Sequence, residues 1–100
     1  MSLAITTETV SKMAAAADAL GSTLKFSFKG EEGIIYLDGS GDENVVSNED
    51  KDADCTVTVD MDDLNKMVSG DLNPMNAFMM GKLKIAGDMG VAMKLGNLFN

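Results

Sequence analysis

Residues 73–90 read NPMNAFMMGKLKIAGDMG, and the pattern of this stretch changes twice. Asn73 followed by Pro74 is typical of the start of a helix, because the Asn side chain can accept from free N–H groups and Pro needs no donor there. Gly81 is a residue at which a helix commonly ends. The beginning of the stretch therefore predicts a short helix between Pro74 and Gly81.

The second half of the stretch predicts a strand and another helix. Residues 82–86 alternate between polar and apolar side chains, which favours a strand with Leu83 and Ile85 directed inward. Asp88 is a suitable N-cap for a helix that we expect to run to about Leu98. Apolar residues cover nearly all of that helix, so we expect burial against a partner or around an apolar molecule.

The preceding segment shows the same succession of strand and helix. Residues 55–59 (CTVTV) alternate, and Asp60 is placed to cap a helix over 61–69 that ends at Gly70. The inner face of this helix is predicted to consist of Met61, Leu64, Met67 and Val68.

The N-terminal half begins with a predicted amphipathic helix over residues 6–20, with Thr6 or Thr7 as its cap and Gly21 at its exit. Its apolar stripe has helical spacing and comprises Val10, Met13, Ala14, Ala17 and Leu20.

Three further strands are predicted between this helix and residue 55. Residues 24–29 alternate, residues 30–33 (GEEG) predict a hairpin connection, and residues 34–37 form the returning strand. A short third strand is expected around residues 45–46, followed by a polar loop over 47–54.

Composition bounds the class of protein. The chain has 100 residues, 45% apolar and 24% charged, which predicts a single globular domain over residues 1–100. No segment resembles a signal peptide or a membrane span. Cys55 is the one cysteine, so no internal disulfide is possible, and we expect a cytoplasmic protein.

The net charge of −8 comes from the middle of the chain. Residues 31–63 carry twelve acidic side chains against Lys51, whereas both ends are mildly basic. All eight cationic side chains are lysines, so the guanidinium groups that recognise phosphates and bases are absent. The sequence therefore disfavours nucleic-acid binding and predicts only transient contact with membranes.

The sequence offers few candidates for catalytic or metal-binding residues. The chain has no histidine, which removes the usual general base and nucleophile pairs. Residues 50–54 (DKDAD) resemble the start of a calcium loop, but Cys55 and Met61 stand where glycine and a bidentate glutamate belong. We expect Cys55 to be a buried apolar residue. The sequence predicts no enzyme activity, no metal and no cofactor.

Seven of the nine methionines lie between residues 61 and 93. Methionine is flexible and recurs at surfaces that adapt to several shapes. An ordinary core with Met in place of Leu and a cavity for an aliphatic molecule are both compatible with this cluster.

Residues 70–95 follow the pattern G-x-L-x-P-x-x-A-F-x-x-G-K-L-K-I-x-G-x-M-x-x-A-x-K-L, which resembles the signature of the sterol carrier protein type 2 domain, a nonspecific lipid-transfer family. The resemblance implies an α/β (α+β) fold in which a five-stranded mixed sheet carries about four helices over one face. It also implies an apolar tunnel for a fatty acid, fatty acyl-CoA, sterol or phospholipid. Gly81 and Gly87 would let the last helix fold back over that tunnel.

Carried over by position, the resemblance implies lipid-binding roles for fourteen residues, namely Phe26, Phe28, Val57, Val59, Met67, Met75, Phe78, Met79, Leu83, Ile85, Met89, Ala92, Met93 and Leu95. Lys82, Lys84 and Lys94 would be available to an anionic headgroup, although solvated lysines are the simpler interpretation.

Two functions remain open at this point. One is a lipid carrier without catalysis; the other is an accessory protein whose apolar last helix docks on an enzyme or on a second copy of the chain.

Overall fold

The structure is a computed structural model that describes residues 3–28 and 33–94. The predicted hairpin connection lies largely outside these ranges, and so does the end of the predicted last helix. The elements are α1 (Leu3–Ala15), β1 (Thr23–Phe28), β2 (Ile34–Asp38), β3 (Val45–Ser47), β4 (Cys55–Val59), α2 (Met61–Ser69), α3 (Pro74–Met79), β5 (Leu83–Gly87) and α4 (Met89–Met93).

The five strands form one mixed sheet in the order β3-β2-β1-β4-β5. β1 and β4 are parallel, and the other neighbouring pairs are antiparallel. Phe26 lies opposite Ile35 on one side and Val57 on the other, and Val57 lies opposite Ile85. This register brings alternate apolar residues of four strands onto one face and confirms the predicted mixed sheet.

That apolar face and all four helices share one hydrophobic core. α1 and α2 contribute Val10 and Leu64, both fully buried, while α3 contributes Ala77 and α4 contributes Val91. Helices that bury residues in the core of one sheet face must pack on that face. The prediction of about four helices over one face is therefore confirmed.

The opposite face of the sheet is crossed by the acidic loop that joins β3 to β4. Tyr36 points to this face, and its hydroxyl donates to the main-chain carbonyl of Asp52 at 3.0 Å. Lys25, on the neighbouring strand, pairs with Asp50 at 2.9 Å. Asp50 and Asp52 of this loop thus lie on the side of the sheet away from the helices.

The bounds predicted for the first helix are wrong at both ends. α1 starts at Leu3, and Thr6 is not a cap but a fully buried residue whose hydroxyl contacts the Asn65 amide on α2. α1 stops at Ala15, where the Asn44 side chain donates to the carbonyl of Ala14, inside the helix, and to that of Asp18, beyond it. A contact distant in sequence decides where this helix ends.

The helix ends nearer the C-terminus largely follow the predictions. The Asn73 carboxamide accepts from the amides of Met75 and Asn76, and the Asp88 carboxylate accepts from the Gly90 amide. Gly70 ends α2 in the left-handed conformation, at φ 86°. Asp60 occupies the N-cap position of α2, but its side chain makes no capping hydrogen bond, so that part of the prediction is wrong.

Candidate functional site

An apolar cleft lies between α3, β5 and α4. The spacing of the lining residues follows the secondary structure. β5 contributes every second residue to the lining, while α3 and α4 contribute residues three or four positions apart. Among the described residues the lining side chains are all hydrocarbon or thioether groups, and none of these is a hydrogen-bond donor. The lining residues are Pro74, Met75, Phe78, Leu83, Ile85, Met89, Ala92 and Met93.

The cleft is small and its mouth is apolar. Its volume is about 50 Å³, enough for a few water molecules but not for a long acyl chain. Leu83 and Ala92 form a buried floor, whereas Met75, Met89 and Met93 stand largely exposed at the rim. Across the described residues a through-going tunnel is not observed, and the tunnel stays a prediction.

The cleft brings together half of the fourteen residues predicted to bind lipid. Five others lie in the core behind it without lining it, and Val57 and Val59 among these sit beside Ile85 and Leu83 in the sheet. Met79 is 81% exposed and points away from the cleft, one helical position past Phe78. Leu95 lies outside the described residues. The five core residues are Phe26, Phe28, Val57, Val59 and Met67.

Pro74 is a lining residue that the sequence reasoning missed. It was expected only as the first residue of α3, a role it does fill. Pro74 precedes Phe78 by four residues, so the two rings share a helical face. That i, i+4 relation to a predicted site residue was the signal that could have found it.

The two helices that border the cleft are short and bury few residues. α3 buries Ala77, and α4 buries Val91 and Ala92. The start of α4 is held by the Asp88 amide, which donates to the Asp54 carbonyl at 2.8 Å. An enclosure formed by short helices with flexible methionines can widen at lower cost than one built from long packed elements.

The three lysines near the site have different surroundings. Lys94 donates to the Leu20 carbonyl at 3.0 Å, and Lys82 lies 3.8 Å from the Asp63 carboxylate. Lys84 is exposed on the outer face of β5. Lys84 thus projects from the sheet face opposite the cleft, while Lys94 ends the helix that borders it.

Within 3–28 and 33–94, no group of three or more Cys, Asp or Glu side chains is arranged to hold a metal ion. None of the helices in these ranges has the length and apolar character needed to cross a bilayer.

A mixed five-stranded sheet with an apolar cleft between its edge strand and two short helices defines a small α+β domain. The model of the SCP-2 sterol transfer family matches residues 4–100. The chain belongs to that family.

Known relatives agree with this assignment. Sterol carrier protein 2 of Oryctolagus cuniculus is 46% identical over 80 residues, which is 73% of this chain and 15% of that protein. Hydroxysteroid dehydrogenase-like protein 2 of Danio rerio is 45% identical over 74 residues, 71% of this chain and 18% of that protein. The chain therefore spans less than a fifth of the length of these relatives.

Solved structures share the fold. The sterol carrier protein domain of Helicoverpa armigera has a TM-score of 0.69 at 29% identity, covering 97% of this chain and 81% of that one. A sterol carrier protein of Aedes aegypti in complex with palmitate has a TM-score of 0.69 at 18% identity, covering 94% of each chain. The latter likeness concerns the fold alone.

Proposed function

We propose that this chain is a non-catalytic lipid-binding and lipid-transfer domain that holds a fatty acid, fatty acyl-CoA, sterol or phospholipid between α3, β5 and α4. The observation that carries the proposal is the convergence of three elements on one cleft whose described lining side chains are all apolar. Family membership supports it, and so does the palmitate held by a neighbour of the same fold.

Binding a long chain requires the cleft to widen. Burying about 14 methylene groups gains roughly 11 kcal/mol, and micromolar affinity needs about 8 kcal/mol. About 3 kcal/mol is left for widening the cleft and immobilising the ligand. Movement of α3 and α4, with new rotamers of the rim methionines, is the change that we expect on binding.

We propose a domain without catalysis because the chain offers few residues of the types that catalyse reactions. The chain has no histidine, and Cys55 is buried in the sheet. The lining residues that the structure describes include no acid, base or nucleophile. Dehydrogenase-like relatives are far longer than this chain, so their catalysis need not reside in the portion that it matches.

The proposal is tested by ligand uptake with charge placed inside and outside the cleft. Met93→Lys and Phe78→Asp put a charge on the cleft lining, whereas Met79→Lys puts one on an exposed position of α3 that does not line it. We expect the first two to bind NBD-stearate at least about tenfold more weakly, because a charge next to a buried acyl chain is costly. Met79→Lys should bind like the wild type.

Native mass spectrometry of the purified protein, followed by lipid extraction, complements the titration. A bound lipid or uptake of NBD-stearate by the wild type supports the proposal. No bound lipid and no uptake would contradict it. Unchanged uptake in both cleft variants would contradict the position of the site.

Two exposed methionines beside the cleft bear on how a lipid would be transferred. Met79 and Met80 extend the apolar rim beyond the cleft, so the rim can touch a bilayer transiently while a lipid moves across. We place the protein in the cytoplasm. Transfer of NBD-stearate between phosphatidylcholine vesicles, and fractionation of cells, test these two points.

The same exposed methionines favour a second candidate, an accessory protein that docks on an enzyme or on another copy of itself. Light scattering before and after removal of lipid separates the two functions. Dimers that persist without lipid favour docking, and a monomer that binds lipid favours the carrier.

A further inference from the structure

The fold separates the methionines by their access to solvent. Met75, Met89 and Met93 line the cleft and are 55%, 49% and 70% exposed. Met61 and Met67, on α2, are 6% and 1% exposed in the core. Leucine could supply the same apolar surface, but only the thioether adds a sulfur that small oxidants can reach.

We propose that the sulfur atoms of Met75, Met89 and Met93 form a modification site at which hydrogen peroxide, by making methionine sulfoxide, lowers the affinity of the cleft for lipid. The inference rests on the proposed function, since it concerns the same cleft. Membership of the family does not by itself imply that oxidation regulates lipid binding.

The reaction is balanced with peroxide as the oxidant. A lone pair of the thioether sulfur attacks one peroxide oxygen, the O–O bond breaks, and an S–O bond forms. Proton transfer between the two oxygens releases one water molecule. The sulfur loses two electrons, which the peroxide gains. Methionine sulfoxide reductases reverse the change with a dithiol, which becomes a disulfide as water is released.

The effect on lipid affinity follows from the lining. A sulfoxide oxygen is a strong hydrogen-bond acceptor, and the lining side chains among residues 3–28 and 33–94 provide no donor for it. A bound lipid would cover that oxygen and separate it from water. Burying an unpaired acceptor is costly, so we expect the affinity to fall at least about tenfold when the rim is oxidised.

Cys55 is the competing oxidisable group, and the structure protects it. Its side chain is fully buried on β4, and burial raises the pKa of its thiol. The reactive thiolate is therefore scarce, and peroxide should reach the rim methionines first.

The experiment treats delipidated protein with hydrogen peroxide, maps oxidation by peptide mass spectrometry and measures NBD-stearate binding. We expect sulfoxide at Met75, Met89 and Met93 before Met61 and Met67, a native circular dichroism spectrum, and at least about tenfold weaker binding. Sulfoxide reductases for both epimers should restore binding.

Two variants locate the effect. Replacing Met75, Met89 and Met93 together by Leu is a nearly volume-conserving change. The affinity that this variant has before treatment should not fall further after peroxide. Replacing the exposed Met79 and Met80 by Leu should leave the peroxide sensitivity unchanged.

The outcomes distinguish the inference from the function on which it rests. If untreated wild-type protein binds no lipid, the proposed function fails and the inference falls with it. If untreated protein binds and fully oxidised protein binds equally well, only the inference is overturned. Loss of binding with unfolding, or without recovery by the reductases, also overturns it.

Discussion

Lys94 and Leu20 lie 74 positions apart in the chain, and the Lys94 ammonium donates a hydrogen bond of 3.0 Å to the Leu20 carbonyl. The bond joins the end of α4 to the segment between α1 and β1. The beginning of α4 is held separately, by the bond between Asp88 and Asp54. A helix of five residues that borders the cleft is thus held at both ends by polar contacts to distant parts of the fold.

Replacing Lys94 by Met removes this donor and keeps an apolar stem of similar length. Loss of a hydrogen bond worth about 1 kcal/mol should loosen α4 and speed release of NBD-stearate about fivefold. Hydrogen exchange over residues 88–94 should rise in parallel. Lys84→Met, on the outer face of β5, is the control and should change neither. Unaltered release from Lys94→Met would show that this bond does not hold the cleft closed.

Gly87 ends β5 at φ +104°, where side chains are strained, and a Cβ there would meet the Asp54 carbonyl oxygen and lie 3.2 Å from the Cys55 Cα. Gly87→Ala should therefore lower the free energy of unfolding by about 2–4 kcal/mol. Gly41→Ala is the matched control, since a Cβ at Gly41 meets nothing within 4 Å. Urea denaturation measures both, and equal stabilities would contradict the close approach of β5 to β4.

Asn44 holds the segment after α1 with a single carboxamide. Its Nδ2 donates to the carbonyls of Ala14 and Asp18 at 3.0 Å each, and its Oδ1 accepts from the Leu20 amide at 2.8 Å. Asn44→Ala removes all three hydrogen bonds, and we expect a loss of about 2–3 kcal/mol in urea denaturation. Asn48→Ala, at an exposed site, should cost about 1 kcal/mol or less. Similar losses for the two variants would argue against this role of Asn44.

Cys55 gives a dependence of stability on pH. Burial raises the pKa of its thiol above the ordinary value of 9.0, so the folded protein keeps its proton where the unfolded chain loses it. The contribution is complete below pH 9 and is lost as the pH rises through the folded-state pKa. Wild type should therefore lose more stability than Cys55→Ala between pH 8 and pH 10.5. Parallel curves would show that the thiol is not buried as described.

Most of the fold was predictable because the local pattern of apolar and capping residues indicates the secondary structure of each segment. Residues 55–59 alternate and form β4 with the predicted bounds, and the caps at Asn73 and Asp88 bind as expected. The predicted end of α1 was wrong because the apolar stripe continues to Leu20, whereas the helix ends at Ala15, next to the contact with Asn44. Helical spacing alone carries no information about such a distant partner.

The sequence indicated a set of apolar residues for the site, but it did not indicate which of them line the cleft. Pattern and resemblance together named seven of the cleft residues, while Phe26 and Met67, named with them, are core residues away from the cleft. Burial and cleft lining both demand apolar side chains, so composition does not separate them. Met79 shows the same limit, since one helical position beyond Phe78 moves a side chain out of the cleft.

By itself the sequence determined the order of helices and strands, the apolar character of the cleft residues and the lack of histidine chemistry, because these depend on local pattern and residue type. Only the tertiary structure decided which methionines face solvent, where α1 ends and how α4 is held. Those features depend on contacts such as Lys94 with Leu20 and Asn44 with Ala14, between residues that come together only after the sheet and helices have packed.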